Sequence, residues 1–117
     1  MCGVAYHHAG LESADRRKVE ELFIAGELQV LVATSTLAMG VNLPAHLVVI
    51  KSTSQYVNGS YEEYSSAQLL QMTGRAGRPQ FDDSGVAVIM TKHQHRVPKS
   101  FLSKRTNIRE ASKKVSI

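Results

Sequence analysis

The sequence has no tryptophan, one cysteine (Cys2), three prolines and only 6% aromatic residues in 117. A single cysteine excludes an internal disulfide and a multi-cysteine zinc site, and it suits a reducing compartment. With few aromatic rings there is little surface on which bases or sugars can stack, so contact with nucleic acid has to rest on charge and backbone groups. No apolar run approaches the roughly 20 residues of a membrane span, and no charged start leads into an apolar signal core. Neither membrane insertion nor secretion is expected. With 43% hydrophobic and 21% charged residues, the chain can bury one modest core, short of two full domains.

The net charge of +4 is unevenly distributed. Residues 1–91 hold 6 Lys and Arg against 9 Asp and Glu, a net −3, whereas residues 92–117 hold 8 against 1, a net +7. The basic character therefore belongs to the last stretch, where it suits sequence-independent attraction to phosphate. The acidic body has to be read from its motifs.

Residues 3–8 are short, apolar and β-capable. Ser13 is placed to cap a helix over 14–25, with Val19, Leu22 and Phe23 as one buried stripe; Arg16, Arg17, Glu20 and Glu21 form a solvated face, and Gly26 ends it. Residues 29–33 (QVLVA) give the nearly continuous apolar run of a strand buried on both faces of a parallel sheet, and 47–50 and 86–90 repeat it. A helix over 66–73 has Ser65 and Gln68 spaced as a capping box. Strands alternating with helices predict an α/β fold with an open, mostly parallel sheet. Met1 and Cys2 lead directly into a strand with no helix before it, so the chain is expected to be a fragment. The domain is placed at 1–91 and a poorly ordered basic tail at 92–117, with a short helix possible over 108–115.

Open α/β sheets gather functional groups at the carboxyl ends of their strands, and three loops are candidates for this role: HHAGL at 7–11, TSTLAMGVNLPA at 34–45 and QMTGRAGRP at 71–79. In the third, Arg75 and Arg78 are flanked by Gly74 and Gly77, so two guanidinium forks sit on a backbone that lets a ligand come close. Such forks bind phosphate oxygens bidentately and stabilise the charge of a transferring γ-phosphate. Two solvated arginines in a turn is the competing reading, since most surface charge contributes little. In the second loop Thr34, Ser35 and Thr36 offer hydroxyls to backbone phosphates; Thr36 as a helix cap, Gly40 as its end and Asn42 as a turn residue is the structural alternative. The His7-His8 pair and His93-x-His95 have no carboxylate or thiol to complete a metal set, so no metal is expected. Met39, Met72 and Met90 read as core filler; Tyr56, Tyr61 and Tyr64 either pack or flank a cleft.

In this order and spacing the three loops resemble the second RecA-like domain of superfamily-two helicases of the Ski-like group, over residues 3–91. VNLPAHLVVIKST and GRAGRPQFD are most similar to the members that act in meiotic crossover formation, with a spliceosomal member second. The resemblance implies that Gln71, Arg75 and Arg78 face the phosphates of ATP held by the first RecA-like domain, with Arg78 as the arginine finger. It implies that Gly40, Asn42 and Gly74 serve the nucleotide, and that Thr34, Thr36, His8 and Gly10 contact the nucleic-acid strand. Further implications are ATP and Mg²⁺ as cofactors, DNA rather than RNA as partner, 3′–5′ movement and a nuclear site.

The chain has no G-x-x-x-x-G-K-[ST] phosphate loop and no Asp-Glu pair after a buried strand, so the expectation is the sensing half of a composite ATP site, inactive alone. A KH-type module fits only the GRAG tetrapeptide, because no second helix has room after it. The remaining alternative is a non-catalytic fragment that binds nucleic acid or a partner through its basic tail.

Overall fold

The computed structural model describes residues 3–78, 80–91 and 108–111, which fall into two compact units, one ending at Leu43 and the other beginning at Pro44. The first is a β-α-β unit. Strand β1 (Gly3–His7) pairs in parallel with β2 (Leu28–Ala33), and helix α1 (Ser13–Ile24) packs on both. A five-residue helix, α2 (Thr36–Gly40), follows β2.

In α1 the helix starts one residue earlier than the Ser13 cap implies. Glu12 occupies the N-cap with extended backbone and no side-chain cap bond, and Ser13 is the first helical residue, its hydroxyl accepting from Arg16 instead. Val19, Leu22 and Phe23 are only half-buried, because α1 covers a sheet of two strands. That narrow sheet also overturns the expectation that β2 is buried on both faces. The register sets Val4 beside Val30 and Tyr6 beside Val32, and all four side chains are at least half exposed. Among the described residues of this unit no helix or further strand covers that side, although the His8 ring stacks on Tyr6; a buried-strand pattern reports a face suited to burial and cannot supply its cover.

The second unit holds a three-stranded parallel sheet in the order β3 (Leu47–Ile50), β6 (Val86–Met90), β7 (Ile108–Ala111). Between β3 and β6 come an antiparallel hairpin, β4 (Ser54–Val57) with β5 (Ser60–Glu63), and helix α3 (Ser66–Thr73), which packs on β3. Asn58 and Gly59, both at positive φ (49° and 88°), form the two-residue turn that matches the twist of a hairpin. The capping box of α3 is complete: Gln68 N–H donates to the Ser65 hydroxyl and Ser65 N–H to the Gln68 side chain.

The core of this unit is Ile50, Leu69, Met72, Ala87 and Ile89. Leu69 and Ile89 are fully enclosed, each contributing roughly 1.5–3 kcal/mol by burial. Thr73 is buried too, its hydroxyl donating to the Leu69 carbonyl. Residues 108–111 form a strand where a short helix was expected, because their backbone pairs with the free edge of β6 from Ala87 to Met90. The rest of the basic stretch, with His93 and His95, lies outside the described residues.

Candidate phosphate- and nucleic-acid-binding loops

In the first unit the carboxyl ends of β1 and β2 lie side by side, and the chain leaves both into candidate loops. The strand pairing continues one step further, with Thr34 N–H donating to the His7 carbonyl at 3.2 Å. The loop after β1 closes on His8, whose Nδ1 accepts from Gly10 N–H at 3.1 Å and whose ring stacks on Tyr6. In the loop after β2 the Thr34 and Thr36 hydroxyls bond to each other at 2.8 Å, both exposed. The structure thus brings His8, Gly10, Thr34 and Thr36 to one end of one small sheet. Gly40 and Asn42 follow in α2 and just beyond it; both are exposed, and a Cβ on Gly40 would meet nothing within 4 Å.

An open depression of about 470 Å³ in this unit is lined by His7, Ala9, Arg16, Arg17, Thr36 and Gly40 among others. Arg16 and Arg17 were read from sequence as part of a solvated face. Here they line a basin together with Thr36 and Glu20, so guanidinium and hydroxyl donors of the kind that contact phosphate share its walls with a carboxylate. A signal existed in their position in the first turn of the helix that follows HHAGL. Glu20, placed on the same solvated face, instead meets the buried His7 ring at 2.7 Å.

In the second unit the QMTGRAGR turn does not lie at the carboxyl end of a strand, as expected. Its backbone is tied to Ala45, which leads into β3: Ala45 N–H donates to the Arg75 carbonyl at 2.9 Å, and Gly77 N–H donates to the Ala45 carbonyl at 2.7 Å. Gly85, which leads into β6, packs on the same turn; a Cβ there would come within 2.3 Å of the Ala76 carbonyl oxygen. The end of α3 therefore delivers the arginines to the amino ends of β3 and β6. Gly77 takes φ +96°, a region that favours glycine. Gly74 caps α3, and Gln71 is exposed on the helix.

Arg75 is half-buried and Arg78 exposed. Arg78 is gripped bidentately by Asp82, Nε donating to Oδ2 at 2.9 Å and Nη2 to Oδ1 at 3.1 Å. The Arg78 backbone N–H donates to the same carboxylate at 2.9 Å, and the guanidinium lies 5.4 Å from the Phe81 ring centre. These bonds, the side-chain pair first, hold the Asp82 carboxyl well below the usual carboxylate range and raise Arg78 above its own. His46 Nδ1 is 3.1 Å from Asp82 Oδ1; facing an ionised carboxylate, the ring nitrogen is the donor. On the hairpin, Tyr56 and Tyr61 meet edge to face and are both exposed. Among the described residues no group of three His, Cys, Asp or Glu side chains is arranged to hold a metal ion.

A parallel α/β fold that presents a glycine-flanked arginine pair and a hydroxyl-rich loop is what the C-terminal domains of helicases share. The family of the helicase conserved C-terminal domain matches residues 2–80, and the chain belongs to it. It is similar to the probable ATP-dependent DNA helicase HFM1 of Homo sapiens, 67% identical over 90 residues that cover 77% of this chain and 6% of that protein. It is also similar to the ATP-dependent DNA helicase MER3 of Saccharomyces cerevisiae, 49% identical over 110 residues, 94% of this chain and 9% of the relative. Activating signal cointegrator 1 complex subunit 3 of Danio rerio is 54% identical over 104 residues, 87% of this chain and 7% of that protein. The chain spans less than a tenth of the length of each of these relatives.

Proposed function

We propose that this chain is the nucleotide-sensing and nucleic-acid-gripping half of an ATP-dependent DNA helicase, working with a first RecA-like domain that cradles ATP and its Mg²⁺. The observation that carries the reading is the Arg78 guanidinium, exposed on a turn that two backbone bonds to Ala45 hold in place. A fork so placed suits the terminal phosphates of a nucleotide presented by another domain, where it stabilises charge developing during transfer. Arg75 and Gln71 flank it, and Gly74 keeps the backbone close. ATP supplies the hydrolysis that drives the cycle; this chain supplies donors at the phosphate and a grip on the strand.

The strand grip is assigned to the first unit: the Thr34 and Thr36 hydroxyls and the His8-Gly10 loop, with Gly40 and Asn42 linking toward the nucleotide. Contacts from both arginines favour a closed arrangement with the first domain, and loss of the γ-phosphate releases it. The relatives named as DNA helicases support DNA over RNA, and the resemblance to meiotic members favours a nuclear site and 3′–5′ movement. Residues 92–117, beyond the domain at 1–91, are assigned sequence-independent attraction to phosphate.

The test is a chimera of the human relative in which the matching 90 residues come from this chain. Its DNA-stimulated ATP turnover should fall by on the order of 10³-fold or more with Arg78→Ala. The chain alone should show no turnover with or without DNA. Turnover by the chain alone that Arg78→Ala abolishes would overturn the composite site.

A further inference from the structure

Arginine offers two distinct hydrogen-bonding edges. One is the Nε–Nη2 side, the other the Nη1–Nη2 end. Asp82 takes the first edge with both carboxylate oxygens. The end of the fork stays available for a second acceptor, and the Arg78 side chain as a whole is 46% exposed, against 7% for Asp82. The carboxylate is itself held from two other directions. The Arg78 backbone N–H donates to Oδ2, and His46 Nδ1 approaches Oδ1 from the segment that enters β3. The turn is closed by Asp82 N–H donating to the Arg78 carbonyl at 2.8 Å, which ties the Asp82 backbone to the turn.

We infer that Asp82 is the positioning residue of Arg78: it fixes the side edge of the guanidinium so that the end-on edge is presented, already ordered, to a phosphate oxygen. His46 steadies the carboxylate, and Phe81 covers one face of the fork. The opposing possibility is that Asp82 sequesters the arginine, so that phosphate has to displace it. The geometry disfavours this, because the edge Asp82 leaves unoccupied can itself take a phosphate bidentately, so no displacement is required. The inference rests on the reading of Arg78 as a phosphate-facing residue and adds what aims it.

The experiment uses the full chain and inorganic tripolyphosphate as the probe, titrated by amide NMR. Asp82→Asn keeps an oxygen for the backbone bond but loses the charged bidentate grip. Asp83→Asn, at the exposed neighbouring carboxylate, removes the same charge without touching Arg78 and serves as the reference. Asp82→Asn should bind tripolyphosphate about tenfold more weakly than Asp83→Asn, since a freed arginine has to be ordered again on binding. In an Arg78→Ala background the same change should have no further effect.

Affinity equal to or tighter than the Asp83→Asn reference overturns the inference, the tighter result pointing to sequestration. The Arg78 Nε–Hε signal reads the clamp without any ligand: sharp and slow to exchange in the wild type, broadened in Asp82→Asn. An unchanged signal overturns the clamp. An Arg78→Ala chain that binds as the wild type does would overturn the phosphate reading, while the Nε–Hε signal compared between the wild type and Asp82→Asn still reports on the clamp. Should Asp82→Asn prove poorly folded, Asp82→Glu, which retains the charge but displaces the carboxylate by one methylene, should bind tripolyphosphate more weakly than wild type, and wild-type affinity would overturn the inference.

Discussion

His7 and Glu20, 13 positions apart, meet at 2.7 Å between Nε2 and Oε1, with the His7 side chain almost fully enclosed. The bond joins the end of β1 to the middle of α1 and gives a buried ring nitrogen its partner. Glu20→Ala leaves that nitrogen unsatisfied and should cost roughly 1–3 kcal/mol, whereas Glu20→Gln keeps an acceptor and should cost less. Urea unfolding of the chain measures both; a Glu20→Ala loss indistinguishable from zero would show that the bond contributes nothing.

The glycines separate structural from functional demand. At Gly85 an added Cβ would meet the Ala76 carbonyl oxygen at 2.3 Å and Gly77 N at 2.6 Å, all backbone. Gly85→Ala should therefore destabilise by about 1–3 kcal/mol or more and disturb the arginine turn. Gly40 has open space where a Cβ would go, and Gly40→Ala should change stability by less than about 1 kcal/mol. If Gly40 is there to admit a ligand, the same substitution weakens nucleotide-dependent activity in the chimera while the unfolding midpoint stays put.

Most regular elements were legible because local rules set them. The Ser65-Gln68 box placed the start of α3, and the apolar runs at 47–50 and 86–90 are strands at those residues. The β4–β5 hairpin is absent from the sequence expectations although Asn58-Gly59 between β-capable flanks is a strong turn signal. Exposure of Val30 and Val32 was not legible, since periodicity shows which face seeks cover and not whether cover is present. Glu20 was read as solvated because a helix wheel does not show a partner on another element. The arginine pair was legible as a candidate site. Its seat at the amino ends of β3 and β6 was not, since that follows from tertiary bonds to Ala45 and the packing of Gly85.

The Arg78–Asp82 pair makes stability sensitive to acid in one direction. The folded-state pKa of Asp82 is depressed, first by the Arg78 side chain, while an unfolded aspartate titrates at about 3.9. The contribution is thus fully present above the unfolded value and is lost as pH falls below it toward the folded one, because the unfolded chain takes up a proton first. Asp82→Asn should flatten the drop in stability below about pH 4 while changing the slope above pH 5 little. Urea midpoints across that range decide it; parallel acid limbs in the two proteins would place the sensitivity elsewhere.

The basin of the first unit makes a prediction about strand binding that is separable from stability. Thr36 and Arg17 both line it and both are exposed, so Thr36→Val and Arg17→Ala should shift unfolding by no more than about 0.5 kcal/mol. If they donate to phosphates, Thr36→Val should weaken single-stranded DNA binding about three- to tenfold, and Thr36→Ser should not. Arg17→Ala should weaken it to a similar extent whatever the sequence and reduce the salt slope by about 0.7, one phosphate contact on a single strand. Fluorescence anisotropy over a salt series reads both quantities. Affinities unchanged by either substitution but lost on deleting residues 92–117 would move the whole contact to the basic stretch, because the basin then contributes no donor to the strand.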